Sequence, residues 1–116
     1  MPELAQWQIV CDSSDILPML GSRALIDGEQ VAIFRVKDAL YAVSAIDPFT
    51  NTAVMARGIV GSLNGELVVA SPLYKQHFSL VTGICLEDPA YSLATYEVRE
   101  QDGKVQIAGK AAKQVA

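Results

Sequence analysis

Apolar and polar positions alternate along most of the chain in short runs broken by turn dipeptides. Trp7 to Asp12 alternates and predicts a first strand. In SSDILPML, Ser13 or Ser14 offers a cap for a single helical turn that Pro18 limits. ALIDGEQVAIF sets Asp27-Gly28 between two apolar runs, a strong hairpin signal. Lys37-Asp38 predicts a second tight turn. Asn64-Gly65 in RGIVGSLNGELVVAS and Asp102-Gly103 in TYEVREQDGKVQIAG repeat the hairpin device. Around that last turn Tyr96, Val98, Val105 and Ile107 alternate with polar residues, so one face is expected to be buried and the other wet.

No helical periodicity of any length interrupts this pattern. The expected fold is all-β: roughly eight to ten short strands forming an antiparallel sandwich or a partly open barrel. A single domain is expected over 1–108, with GKAAKQVA at 109–116 as a loose C-terminal tail. Two stretches do not fit the strand pattern: 46–56, IDPFTNTAVMA, and 71–93, which opens SPLYKQHF. Irregular segments between strands are where a β domain usually carries its function.

Composition narrows the class. A chain of 116 residues can bury a core without covalent staples, and 51% hydrophobic with 19% charged residues is a globular balance. The net charge of -4 argues against nucleic acid, whose binding rests on neutralising phosphates with Lys and Arg. No apolar run approaches the roughly 18–20 residues that span a bilayer, so no membrane partner is expected. MPELAQWQIV lacks the basic n-region and apolar core of a secretory signal, so the expected location is the cytoplasm. Cys11 and Cys85 lie far apart, with no CxxC or CxH near either. They read as reduced core or surface thiols.

Candidate chemistry is sparse. His77 is the sole histidine, which excludes a multi-His metal cage and leaves any triad resting on one residue; it reads as a surface or loop histidine. Glu87-Asp88-Pro89 and Asp47-Pro48 are turn signals. There is no GxGxxG, P-loop or HExxH. No catalytic residue and no metal site is expected in this chain.

Set side by side, YAVSAIDPF and VVASPLYKQHFSLVTG resemble a Rieske-type domain. In that family a strand leads into a Cys-x-His loop and a later strand into Cys-Pro-x-His. The two Cys and two His hold a [2Fe-2S] cluster between the loop tips. The frame stands here as Tyr41-Ala42-Val43, Pro72-Leu73, Phe78, Leu80 and Thr82-Gly83, while Asp47, Phe49, Ser71 and Tyr74 occupy the four ligand positions. The resemblance therefore implies a Rieske-like fold with a small cluster-binding-like subdomain that has lost its cluster. Phe49 and Tyr74 are the natural fillers of the void.

Ile46 to Phe49, Arg57-Gly58, Ser71 to Phe78 and Glu87-Asp88 together make the chain similar to the small subunits of NADH-dependent nitrite reductase. That resemblance implies no cofactor in this chain. It implies a partner, the nitrite reductase large subunit, carrying sirohaem, [4Fe-4S], FAD and the NAD(P)H site. A chain without catalytic groups acts by contact. Pro48, Phe49, Tyr74, Lys75, Gln76 and His77 are the expected partner-binding residues, with the inward-pointing filler reading of Phe49 and Tyr74 open beside it. Arg57 is expected to brace the first loop through Asp47, and Gly58 to answer a backbone requirement. The alternatives are a cluster-free Rieske-like module serving another reductase or oxygenase, a Rieske ferredoxin with unusual ligands, and, most distantly, a hydrolase built on His77.

Overall fold

In the computed structural model, residues 7–73 and 75–110 are described, those of Gly109 and Lys110 by their backbone alone. Eleven strands are found among them: β1 Gln8–Asp12, β2 Gly21–Ile26, β3 Glu29–Val36, β4 Ala39–Ser44, β5 Ile46–Asp47, β6 Thr52–Ala53, β7 Ile59–Leu63, β8 Glu66–Ala70, β9 His77–Ser79, β10 Thr95–Gln101 and β11 Lys104–Lys110. The count exceeds the expected range because β5, β6 and β9 are too short to leave an alternating signature. β11 runs to Lys110, two residues beyond the expected boundary at 108; positions 111–116 of the tail lie outside the described residues.

Six strands form one antiparallel sheet in the order β1-β11-β10-β4-β3-β2, nearly closed on itself like a barrel. Two smaller sheets, β5-β6 and β7-β8-β9, are inserted between β4 and β10. The turn chemistry expected from sequence is present at all four hairpins. Asp27, Asn64 and Asp102 have φ of 50°, 54° and 55°, each followed by a glycine near φ 80°, and Lys37 has φ of 56°. At the three glycine-containing turns, positive φ at both central residues gives a turn whose twist matches that of the flanking strands. The predicted helical turn is a 3-10 turn at Ser13–Asp15. Its cap position is Asp12 rather than Ser13 or Ser14, with the Asp15 carboxylate accepting from the Asp12 N–H. Ser13 instead accepts from the Arg35 guanidinium, at its carbonyl and its Oγ.

The uninterrupted run Val31-Ala32-Ile33-Phe34 in β3 is buried on both faces, which is why it shows no alternation. Val31 and Ile33 face the barrel interior with Ile26, Ala42, Tyr96, Val105 and Ile107. Ala32 and Phe34 face the inserted sheets and pack with Val43, Met55, Val69, Phe78 and Leu93. This second core fixes the inserted subdomain, and with it the two irregular segments, against the barrel. Gly58 shows the tightness of the join: a Cβ there would lie 2.6 Å from the Ala70 carbonyl oxygen. The backbone requirement expected at Gly58 is thus a close approach of chain to chain.

Candidate functional site

The first irregular segment is a small hairpin. Asp47 on β5 pairs with Thr52 on β6, and the Asn51 N–H closes the loop onto the Asp47 carbonyl at 2.7 Å. The second is a loop between β8 and β9. It closes when the Ser71 N–H donates to the Gln76 carbonyl at 2.9 Å and the Lys75 N–H to the Ser71 carbonyl at 3.0 Å. The two loops meet at their first ligand-like positions. Ser71 Oγ donates to Asp47 Oδ2 at 2.5 Å, and Asp47 Oδ1 accepts the Phe49 N–H at 2.8 Å. Asp47 is 0% and Ser71 1% exposed, so this tie is fully shielded from water. Arg57 does not brace Asp47 as expected. Both carboxylate oxygens of Asp47 are engaged within the loops, and no ion pair to Arg57 is found among the described residues.

Phe49 fills space beside the tie. Its ring lies 4.2 Å from Tyr91 and 6.2 Å from Phe78, centroid to centroid, and packs on the second core. Phe49 is thus half-buried between the Tyr91 and Phe78 rings. No alternation marks Tyr91 in the sequence, since PAYSL carries no period. Tyr74, the other expected filler and candidate contact, lies outside the described residues. Lys75 is exposed with φ of 64°. Gln76 is partly buried, and its Oε1 has no hydrogen-bond partner among the described residues. Pro48 and Lys75 do not share a cavity. Pro48 lines one of about 600 Å³ with Tyr96 and Asn51, whereas Lys75 and His77 line another of about 550 Å³. The expected contact residues therefore border two concavities rather than one.

His77 opens β9 and is not a loop residue. Its Nδ1 lies 2.6 Å from Glu87 Oε2, and its backbone N–H donates to Glu87 Oε1 at 2.8 Å. Glu87 is thus more than a turn residue; the pairing joins residues ten apart through an irregular segment, where no periodic signal exists. Burial pushes the Glu87 carboxyl up, but the bonds from the His77 N–H and ring outweigh it and hold the group below the ordinary carboxylate range. A carboxyl held low in the native state stabilises the fold above its unfolded value of about 4.3 and loses that contribution as pH falls through the lower native value. The side chains are 33% and 45% exposed, and solvent screening keeps the contribution under about 1 kcal/mol. Urea unfolding of wild type and Glu87→Gln should differ by that small amount at about pH 6 and converge toward about pH 3.

Cys11 and Cys85 are both free thiols. Cys85 is buried, and desolvation pushes its thiol up, as it does for Cys11. No group of three or more His, Cys, Asp or Glu is placed to hold a metal ion among the described residues. The residues at the meeting loops do not fit a [2Fe-2S] cluster. Phe49 has no donor atom, the oxygens of Asp47 and Ser71 are spent on each other and on the loop backbone, and iron–sulfur centres call for thiolate and imidazole.

A barrel-like sheet carrying an inserted three-stranded sheet and two apposed loops is a Rieske-like arrangement, and the family model described as Rieske-like [2Fe-2S] domain matches residues 6–108. The nitrite reductase (NADH) small subunit of Salmonella typhimurium is 49% identical over 108 residues, 91% of this chain and 100% of that protein. The NMR structure of the Escherichia coli protein NirD matches with a TM-score of 0.82 at 49% identity, covering 90% of this chain and 96% of that one. The nitrite reductase [NAD(P)H] large subunit of Klebsiella oxytoca is 34% identical over 101 residues, 87% of this chain but 11% of that protein. The chain belongs to the Rieske-like family and, within it, to the nitrite reductase (NADH) small subunits.

Proposed function

We propose that this chain is the non-redox small subunit of a cytoplasmic NAD(P)H-dependent nitrite reductase and supports reduction of nitrite to ammonium in nitrogen assimilation. Electrons would pass through sirohaem, [4Fe-4S] and FAD on the large subunit, and this chain would act by binding it. The observation that carries the reading is similarity over the full length of proteins named as that small subunit. The Klebsiella oxytoca protein adds support, since a segment like this chain forms part of a protein named as the large subunit. The loop geometry agrees: a hydrogen-bonded tie and an aromatic filler stand where ligands would stand, which suits a docking element better than an electron carrier.

The loops are the proposed contact, through Pro48, Phe49, Tyr74, Lys75, Gln76 and His77. Leu73 and Tyr91, 46% and 40% exposed, add apolar surface beside them. The test is a titration of purified large subunit with this chain while nitrite-dependent NADH oxidation is followed. Activity should rise and saturate at a fixed ratio; a flat response with no complex would sink the assignment. Lys75→Glu should weaken the complex by about 1 kcal/mol without changing the circular dichroism spectrum, and unchanged binding would remove the second loop from the contact.

A further inference from the structure

The outer face of the β7–β8 hairpin holds an open apolar groove that neither packing nor backbone conformation accounts for. In the β7–β8 register Ile59 faces Ala70 and Gly61 faces Val68, while Val60 and Val69, also partners, point into the second core. Side chains directly across a ladder share a face. Ile59, Gly61, Leu63 and Ala70 therefore lie together on the outer side and line, with Pro72, the cavity of about 550 Å³, and Val68, 2% exposed, forms its covered floor.

Gly61 is the anomaly. It sits inside a strand, yet a Cβ built there meets nothing within 4 Å, and its φ lies outside the left-handed range that favours glycine. Gly58 and Gly83, by contrast, would each drive a Cβ into a backbone carbonyl oxygen, at 2.6 Å and 2.0 Å. A strand glycine with room around it forgoes conformational stability and side-chain packing, and such a position marks a place where another group approaches the backbone. Beside it Ile59 is 73% exposed, an apolar side chain left in water at the mouth of the groove.

The rim is cationic although the chain carries a net charge of -4. The Arg57 and Lys75 side chains border the groove, with the His77 imidazole beside them. His77 is matched by Glu87, whereas no ion pair to Arg57 or Lys75 is found among the described residues. An apolar trough with unmatched positive charge selects an apolar side chain that has a carboxylate beside it.

We infer that Gly61 keeps this groove open to receive an apolar side chain of the large subunit, with a neighbouring carboxylate of that subunit set against Arg57 and Lys75. The inference rests on the proposed small-subunit role and extends the contact from the loops onto the β7–β8 face.

The test measures the affinity of purified large subunit for wild type, Gly61→Leu and Arg57→Glu by isothermal titration, with the Tm of each free chain. Gly61→Leu should fill the groove, weaken binding about tenfold or more, and leave Tm unchanged or raised. Arg57→Glu should weaken binding several-fold, with the loss reduced at high salt. Should Gly61→Leu fail to fold, Gly61→Ala, whose Cβ meets no atom within 4 Å, replaces it and should still weaken binding. If wild type binds and the Gly61 variant binds equally, the groove assignment is overturned while the small-subunit reading stands. If wild type does not bind the large subunit, both fall. If the Gly61 variant loses self-association but not large-subunit binding, the groove joins copies of this chain and the inference is overturned.

Discussion

Phe78→Ala should destabilise the chain by about 3–5 kcal/mol, the usual cost of truncating a fully buried Phe. Phe78 is 0% exposed and sits in β9, where it pairs with Val69 of β8 and bridges to Cys85. It belongs to the core that joins the inserted sheets to Ala32, Phe34 and Val43 of the large sheet, and its ring stands 6.2 Å from Phe49. Truncation would open a cavity at that join and withdraw support from the loop that Phe49 anchors. A domain of this kind has a total stability of roughly 5–15 kcal/mol, so the variant should be partly unfolded at 37 °C. Phe78→Leu, which keeps most of the volume, should cost about 1.5 kcal/mol or less. Urea unfolding of the three chains checks both. Equal losses for Ala and Leu would mean that the aromatic contact, not the filled volume, holds the subdomain.

Breaking the tie between the loops should have the next largest effect. Ser71→Ala removes the donor to Asp47 and leaves Oδ2 buried without a partner, at a cost of about 2–3 kcal/mol. Asp47→Ala leaves the Ser71 O–H donor and the Phe49 N–H without their acceptor and should cost about 3 kcal/mol. Asp47→Asn keeps the shape and can still accept from Phe49 while donating to Ser71, so its cost should be about 1 kcal/mol. A double-mutant cycle on Asp47 and Ser71 should return a coupling of about 1.5–3 kcal/mol. A coupling near zero would mean that the loops are held by their own closing bonds and not by each other. If the tie presents the loops to the large subunit, Ser71→Ala should also raise the amount of chain needed for half-maximal nitrite-dependent NADH oxidation.

Much of the frame was legible in local sequence because local physics decides it. Asp27-Gly28, Asn64-Gly65 and Asp102-Gly103 specify turns that few other dipeptides tolerate, so the hairpins and their registers follow directly. Alternation around Tyr96, Val98, Val105 and Ile107 marked a half-buried sheet, and the apposition of Asp47 with Ser71 was implied by the resemblance of the two loops to cluster-binding ones. Long-range packing decided the rest. Whether Asp47 would meet Arg57 or Ser71 depended on how the β5–β6 hairpin lies against the loop after β8, which no window of sequence contains. The Tyr91 ring over Phe49 and the Glu87 carboxylate on His77 come from an irregular segment without period, brought into place only when β9 pairs with β8. Gly61 gave no sign in the sequence, since a glycine inside an apolar run reads alike whether it is crowded or open. Only the tertiary structure, by turning Ile59, Val68 and Ala70 to the same outer face, makes the empty space beside it a feature of the protein.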